Sequence, residues 1–264
     1  MNAPVMLESR PTAPDTHSLT AYAPLPGLGI LPVNSFVIRA TQPILIDTGL
    51  GALRSDYMST LRATIDPADI RWIWITHTDA DHVGNLEAVL AEAPNARLVT
   101  TYLGMGKMNL LGLPLDRVYL LNPGQSLDAG DRKIFAFAPP TFDAPETTGL
   151  FDTRSGTAFT ADSFGALMST PAAAAEDIPG DELTEGLTLW STIDAPWLHS
   201  TDASLLEQRI DTVRRLSAKT LLSSHLPPAR SISERLFADL AHARSAAPFV
   251  GPDQKALEAM FAAA

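Results

Sequence analysis

The sequence predicts an α/β protein, and two observations carry that reading. Runs of β-branched and aromatic residues, with Ile70 to Ile75 uniform apart from Arg71, alternate with stretches whose apolar residues recur at helical spacing, such as Leu53 to Ile65. A chain of 264 residues, 45% of them hydrophobic, also suffices to bury a full core.

Residues 1–24 are rich in Pro, Ser and Thr without a sustained period, which predicts a loosely ordered N-terminal segment before a single domain over 25–264. His17 falls in that segment and reads as solvated. Val33 to Arg39 and Pro43 to Gly49 read as two strands of a hairpin, split by Ala40 to Gln42. Leu53, Tyr57, Leu61 and Ile65 share one face of a helix that ends before Pro67. Ile70 to Ile75 suits a strand buried on both faces, and Leu86, Val89 and Leu90 set the period of the helix that follows. Arg97 to Thr101 reads as a strand and Tyr102 to Leu113 as a helix whose methionines fill core space. Val118 to Leu121 and Lys133 to Phe137 are further strands, separated by turn residues 122–131.

The proline-bounded stretch Ala138 to Asp152 reads as a loop, and Gly156 to Gly165 as a strand running into a turn with Asp162 at its end. Ala172 to Gly186 reads as an insertion over a site. Leu206, Ile210, Val213 and Leu216 define a helix, and Thr220 to Ser224 a strand that delivers His225. Two short helices separated by Pro248 to Pro252 close the chain, with His242 on a surface. His199, beside two tryptophans, reads as a structural histidine.

Charge and composition narrow the function. A net charge of −11 argues against nucleic acid and anionic membrane as partners and leaves small molecules or protein. With no cysteine, thiolate ligands, cysteine nucleophiles and disulfides are excluded, which fits a reducing, cytoplasmic setting. No signal-peptide pattern opens the chain and no apolar run reaches spanning length, so a soluble protein is expected.

The chemistry concentrates in the loop leaving the strand at Ile75, which reads Thr-His-Thr-Asp-Ala-Asp-His-Val-Gly-Asn from Thr76 to Asn85. His77, Asp79, Asp81 and His82 offer imidazole and carboxylate donors within six residues, ordinary ligands for zinc, iron or manganese. A capping role for Asp81 or Asn85 at the next helix is the plainer alternative.

This loop resembles the His-x-His-x-Asp-His motif of the metallo-β-lactamase-fold superfamily. His77, Asp81 and His82 fall on the motif; Asp79 stands at its second histidine, where the flavodiiron branch of diiron oxygen-binding proteins also has a carboxylate. The resemblance extends to Leu45–Gly49, to the Asp-Ser-Phe-Gly turn at Asp162 and to Ser-Ser-His-Leu-Pro around His225. It implies a four-layer αββα sandwich with one ion held by His77, Asp79 and Asp143, a second by Asp81, His82 and His225, and Asp162 bridging. Asp143 enters by register alone, where the superfamily has histidine; a solvated turn aspartate is the alternative. Asp47 would support a ligating histidine or simply shape the turn at Gly49.

Four carboxylates and three imidazoles balance two divalent ions and favour iron or manganese, with zinc also admitted. The leading expectation is a metal-dependent hydrolase acting through a metal-bound hydroxide, with Asp81 orienting the water or taking its proton. The alternative is a non-haem diiron protein that binds or reduces oxygen or nitric oxide, its electrons coming from another protein because no flavodoxin domain is recognised. A single-metal or inactive sensor is the third reading.

Overall fold

The strands sort by their place in the sequence into two sheets, as given by the computed structural model, which describes residues 3–262. The first sheet takes β1 (Val5–Met6), β2 (Arg10–Ala13), β3 (Thr16–Leu25), β4 (Gly29–Ile38), β5 (Ile44–Ile46), β6 (Trp72–Trp74), β7 (Arg97–Thr100) and β8 (Val118–Leu120). The second takes β9 (Ser126–Asp128), β10 (Lys133–Phe137), β11 (Gly149–Asp152), β12 (Thr157–Phe159) and β13 (Thr220–Leu222). Helices α1 (Arg54–Thr64), α2 (Ala80–Val83), α3 (Leu86–Glu92) and α4 (Tyr102–Leu110) connect the first group. Helices α5 (Gly180–Asp194), α6 (Ala203–Arg214) and α7 (Ser233–Ala243) belong to the second, and α8 (Gln254–Ala262) follows them in the chain.

Three buried clusters mark the interfaces between four layers. Leu45 and Ile73 face α1, α3 and α4, packing with Leu61, Leu86, Val89 and Met108. Their strand neighbours Ile44, Ile46, Trp72 and Trp74 point the other way and meet Ile134, Leu150, Phe159 and Leu222 of the second sheet. Ala158 and Leu221, alternating again, face Leu187, Leu206, Ile210, Leu236 and Leu240 of α5, α6 and α7. Strands covered on both faces read as unbroken apolar runs, which is why Trp72-Ile73-Trp74 shows no polar alternation. The expected αββα sandwich is therefore the observed fold.

Parallel pairing of β5 with β6 and of β6 with β7 places both loops after β5 and β6 at one end of the first sheet. Parallel pairing of β12 with β13 does the same for Asp162 and His225 in the second. The two ends meet, and the site forms where they do.

Three expectations are corrected. Within the segment 1–24 the described residues form strands: β3 pairs antiparallel with β4 over ten residues, from Thr16↔Ile38 to Leu25↔Gly29. Its threonines suit a strand as β-branched residues, and the Thr20 hydroxyl donates to Asn34 Oδ1 at 2.8 Å in the interior, so tertiary pairing overrides the turn-rich composition. The stretch 172–186 is not an insertion, because its second part opens α5, whose Leu183 and Leu187 are core residues. Residues 122–131 and 138–152 are not turn and loop throughout, for they contain β9 and β11. Among the described residues, no helix is long and apolar enough to cross a membrane.

Candidate metal centre

His77, Asp79, Asp81 and His82 leave the C-terminal end of β6, and the first turn of α2 begins between them at Ala80. That single turn, unforeseen from the sequence, puts Asp81 and His82 on a different side of the loop from His77 and Asp79. Asp143 arrives on the loop after β10, Asp162 after β12 and His225 after β13. All seven residues named from the sequence converge. Donor atoms lie mutually within 4.8 Å in the groups His77–Asp79–Asp143, Asp81–His82–His225 and His77–His82–Asp162.

Asp162 occupies the middle. One of its oxygens lies 3.1 Å from His77 Nε2, and the other 3.3 Å from Nε2 of both His82 and His225. Asp81 lies 3.6 Å from His82 Nε2 and 3.5 Å from His225 Nε2. Asp143, on the more open side, comes within 3.9 Å of His77 Nε2. The three histidines and Asp162 are buried, whereas Asp79, Asp81 and Asp143 are partly open to solvent.

The hydrogen bonds behind the histidines fix which ring nitrogen faces the cluster. Thr76 donates its backbone N–H to Asp47 Oδ1 and its hydroxyl to Asp47 Oδ2, both at 2.8 Å. His82 Nδ1–H donates to the same Oδ2 at 2.9 Å. Since the Thr76 hydroxyl proton is committed to Asp47, its oxygen accepts from His77 Nδ1–H at 3.1 Å. His225 Nδ1–H donates to the Pro32 carbonyl at 2.8 Å. Each histidine thus holds its proton on Nδ1 and turns the Nε2 lone pair inward, the tautomer that a metal takes. Asp47 does this from a left-handed backbone, φ 56°, which aspartate tolerates better than most residues.

Lone pairs of nitrogen and carboxylate oxygen facing each other at 3.1–3.3 Å repel unless a cation lies between them. His77 Nε2, His82 Nε2 and Asp162 Oδ1 are buried with no hydrogen-bond partner. The donor set therefore fits metal ions. Without them protons take their place. Burial opposes charging His225, but the carboxylates of Asp162 and Asp81 prevail and push it up to about 9. His82 is driven well above its ordinary value against the same burial penalty, with Asp162 and Asp81 again responsible. Burial would raise Asp162, but the three imidazoles hold it well below the ordinary carboxylate range. Asp143, desolvated and close to Asp79, is pushed up to about 6.

Further contacts surround the cluster: the tryptophans beside His199 were visible in the sequence as bulky aromatics, whereas the places of Glu146 and Asp194 were not legible there. Glu146, buried three residues after Asp143, accepts from the Thr78 hydroxyl at 2.9 Å and pairs with Lys107 at 2.8 Å, tying the two ligand-bearing loops to α4. Trp190 stacks on His225 with ring centroids 4.7 Å apart, and Trp197 packs on Phe142 while its indole N–H donates to the Phe142 carbonyl at 2.6 Å. Asp194, at the end of α5, joins Asp143 and Asp162 in a fourth group of donors, and burial beside Asp162 pushes its carboxyl up to about 8. The three other histidines lie outside the cluster. His17 stands partly buried on β3, His199 Nδ1 lies 3.3 Å from the Arg244 carbonyl, and His242 is exposed on α7.

Comparison with known proteins agrees with this fold. The profile of the family described as the metallo-beta-lactamase superfamily matches residues 28–225. Over 134 residues the chain is 31% identical to the anaerobic nitric oxide reductase flavorubredoxin of Salmonella typhi, covering 50% of this chain and 28% of that protein. It is 29% identical over 134 residues to diflavin flavoprotein A 1 of Synechocystis sp., covering 50% and 23%. The chain thus spans about a quarter of the length of the curated relatives it matches. The solved structure of rubredoxin oxygen:oxidoreductase from the anaerobe Desulfovibrio gigas superposes with a TM-score of 0.78 at 16% identity, over 90% of this chain and 61% of that one. These relatives correct the expected hydrolase: those matched in sequence are a reductase and a flavoprotein by name, and the hydroxide-directing role given to Asp81 falls with it.

Proposed function

Because the chain belongs to the metallo-beta-lactamase superfamily, we propose that it holds a non-haem diiron centre that reduces nitric oxide or dioxygen with electrons from a flavin- or iron-bearing carrier. The observation that carries this reading is Asp162, a buried carboxylate set between three inward-facing Nε2 atoms, of which those of His77 and His82 are buried with no hydrogen-bond partner. His77, Asp79 and Asp143 hold one ion and Asp81, His82 and His225 the other. The relative that is a nitric oxide reductase by name supports the redox chemistry, and the oxygen-rich donor set supports iron.

Two ferrous ions would supply the centre with electrons one at a time and with open positions for a diatomic substrate. Two nitric oxide molecules, two electrons and two protons give nitrous oxide and water; dioxygen, four electrons and four protons give two waters. The chain's own residues supply the frame for this. Asp47 and the Pro32 carbonyl hold the imidazole rings in place, so no donor must reorient when a substrate enters. The indole of Trp190 covers His225 and keeps bulk water from that side. Phe142 and Trp197 wall the approach beside Asp143.

The test is iron analysis and gas consumption on protein reconstituted anaerobically with ferrous iron and supplied with a chemical reductant. Two irons per chain and reductant-dependent loss of nitric oxide or dioxygen are expected. Two bound irons with no uptake of either gas would refute the redox assignment.

A further inference from the structure

We propose that Asp194 is a further donor to the first ion, joining His77, Asp79, Asp143 and Asp162. The inference rests on the two-ion reading above and adds a residue that no sequence motif marks.

The fold opposes a carboxylate at this place. Asp194 is the last residue of the fifteen-residue helix α5 and is 8% exposed. Carbonyl dipoles converge at a helix C-terminus and disfavour negative charge there. Its side chain has no hydrogen bond or ion pair with any described residue, and its nearest acidic neighbours are two more carboxylates, Asp143 and Asp162, with donor atoms within 4.8 Å. A largely buried acid with no hydrogen bond or ion pair from the described residues, beside two more carboxylates and at the unfavourable end of a helix, is better satisfied when a cation joins it. Local choices that work against the fold mark sites kept for function.

A second observation points to that cation independently. His77 Nε2 and Asp162 Oδ1 are buried and unpartnered. His77 Nε2 stands 3.1 Å from Asp162 and 3.9 Å from Asp143 without the alignment of a hydrogen bond, so these lone pairs converge on a common point rather than on each other.

The helix itself is aimed for the purpose. Trp190 and Asp194 are four residues apart and so lie on the same face of α5. Trp190 stacks on His225 and donates its indole N–H to the Asp162 carbonyl at 3.3 Å, which seats the last turn of α5 over the cluster. One helical turn thereby covers the second ion position and delivers a carboxylate to the first. Four carboxylates and one imidazole make that first position harder than its neighbour, which has two imidazoles, and suit it to ferrous or manganous ions over zinc.

The test titrates metal-free wild type, Asp194→Asn and Asp194→Ala with Mn2+, following stoichiometry and affinity by calorimetry and the melting temperature of each metal-free protein. Wild type should bind two ions. Each variant should keep one at wild-type affinity and bind the other at least tenfold more weakly, while its metal-free form melts no lower than wild type because the carboxyl that is lost has no partner among the described residues. Two ions bound to the variants within twofold of wild-type affinity would overturn the role of Asp194 alone. Metal-free variants that melt below wild type would also overturn it, by making the carboxylate a structural group. Fewer than two ions on the wild type would overturn the two-ion reading and this inference with it.

Discussion

Replacing Asp47 by Asn is the sharpest perturbation of the centre that leaves every ligand in place. Asparagine is isosteric and accepts the left-handed backbone at φ 56°, and its amide oxygen can keep the bond from the Thr76 N–H. What changes is the other oxygen, which now accepts from the Thr76 hydroxyl at 2.8 Å and from His82 Nδ1–H at 2.9 Å inside a carboxylate only 1% exposed. An NH2 group there can only donate. His82 must then accept at Nδ1 and carry its proton on Nε2, the position the second ion occupies. One charge-assisted hydrogen bond, about 1.5–3 kcal/mol, is lost to the ion-competent tautomer. Partners behind metal-bound histidines typically affect affinity by about 10–100-fold, the same range in energy. Calorimetric titration of metal-free wild type and Asp47→Asn with Mn2+ at one pH should show the second ion weakened by that factor, and the first weakened as well, because the Thr76 hydroxyl that holds His77 loses its acceptor. Binding of both ions within twofold of wild type would refute the tautomer argument.

Three further outcomes are expected. In the metal-free protein the pKa of His225 is raised from 6.5 to about 9, so the stabilisation it provides is complete below pH 6.5 and is lost as pH rises to about 9. The corresponding loss is about 3 kcal/mol, visible as a falling melting temperature over that window, while ion affinity rises because each ion displaces a proton; a flat profile would count against the cluster. A methyl group added at Gly165 would lie 2.6 Å from the Trp190 indole and 2.7 Å from His225 Cβ, so Gly165→Ala should cost about 1–3 kcal/mol in denaturant melts and weaken the second ion; unchanged stability would mean α5 yields freely. Glu146→Gln should cost about 1 kcal/mol, since Lys107 is half-exposed, and Glu146→Ala more, because the Thr78 hydroxyl then loses its partner; equal melts for both would refute the tether.

The centre was legible in the sequence where donors crowd together and obscure where they do not. His77, Asp79, Asp81 and His82 crowd six positions, and Asp162 and His225 each end an apolar strand run, so periodicity alone put them at strand ends. Asp194 sits at the end of a helix whose opening, with Gly180, Thr184 and Gly186, dilutes the apolar period, and a lone acid there has no spacing to read. Ten residues of β3 were hidden because Thr, Pro and Ser compose both turns and edge-near strands; only the partner strand, with Asn34 waiting for the Thr20 hydroxyl, decides between them. Redox chemistry was signalled only through the resemblance, by the carboxylate at Asp79 and the Asp-Ser-Phe-Gly turn at Asp162, because carboxylate and imidazole ligands by themselves serve hydrolysis as well.

The four donors at His77–His82 hang from the first sheet, and Asp143, Asp162 and His225 hang from the second. Each sheet is drawn from one continuous half of the chain. Cations held between them work as a rivet across a seam. Chelation should accordingly do more than silence chemistry: it removes one fastening from a seam that Trp74, Ile134, Leu150 and Phe159 still close, and the whole molecule melts at a lower temperature in one step.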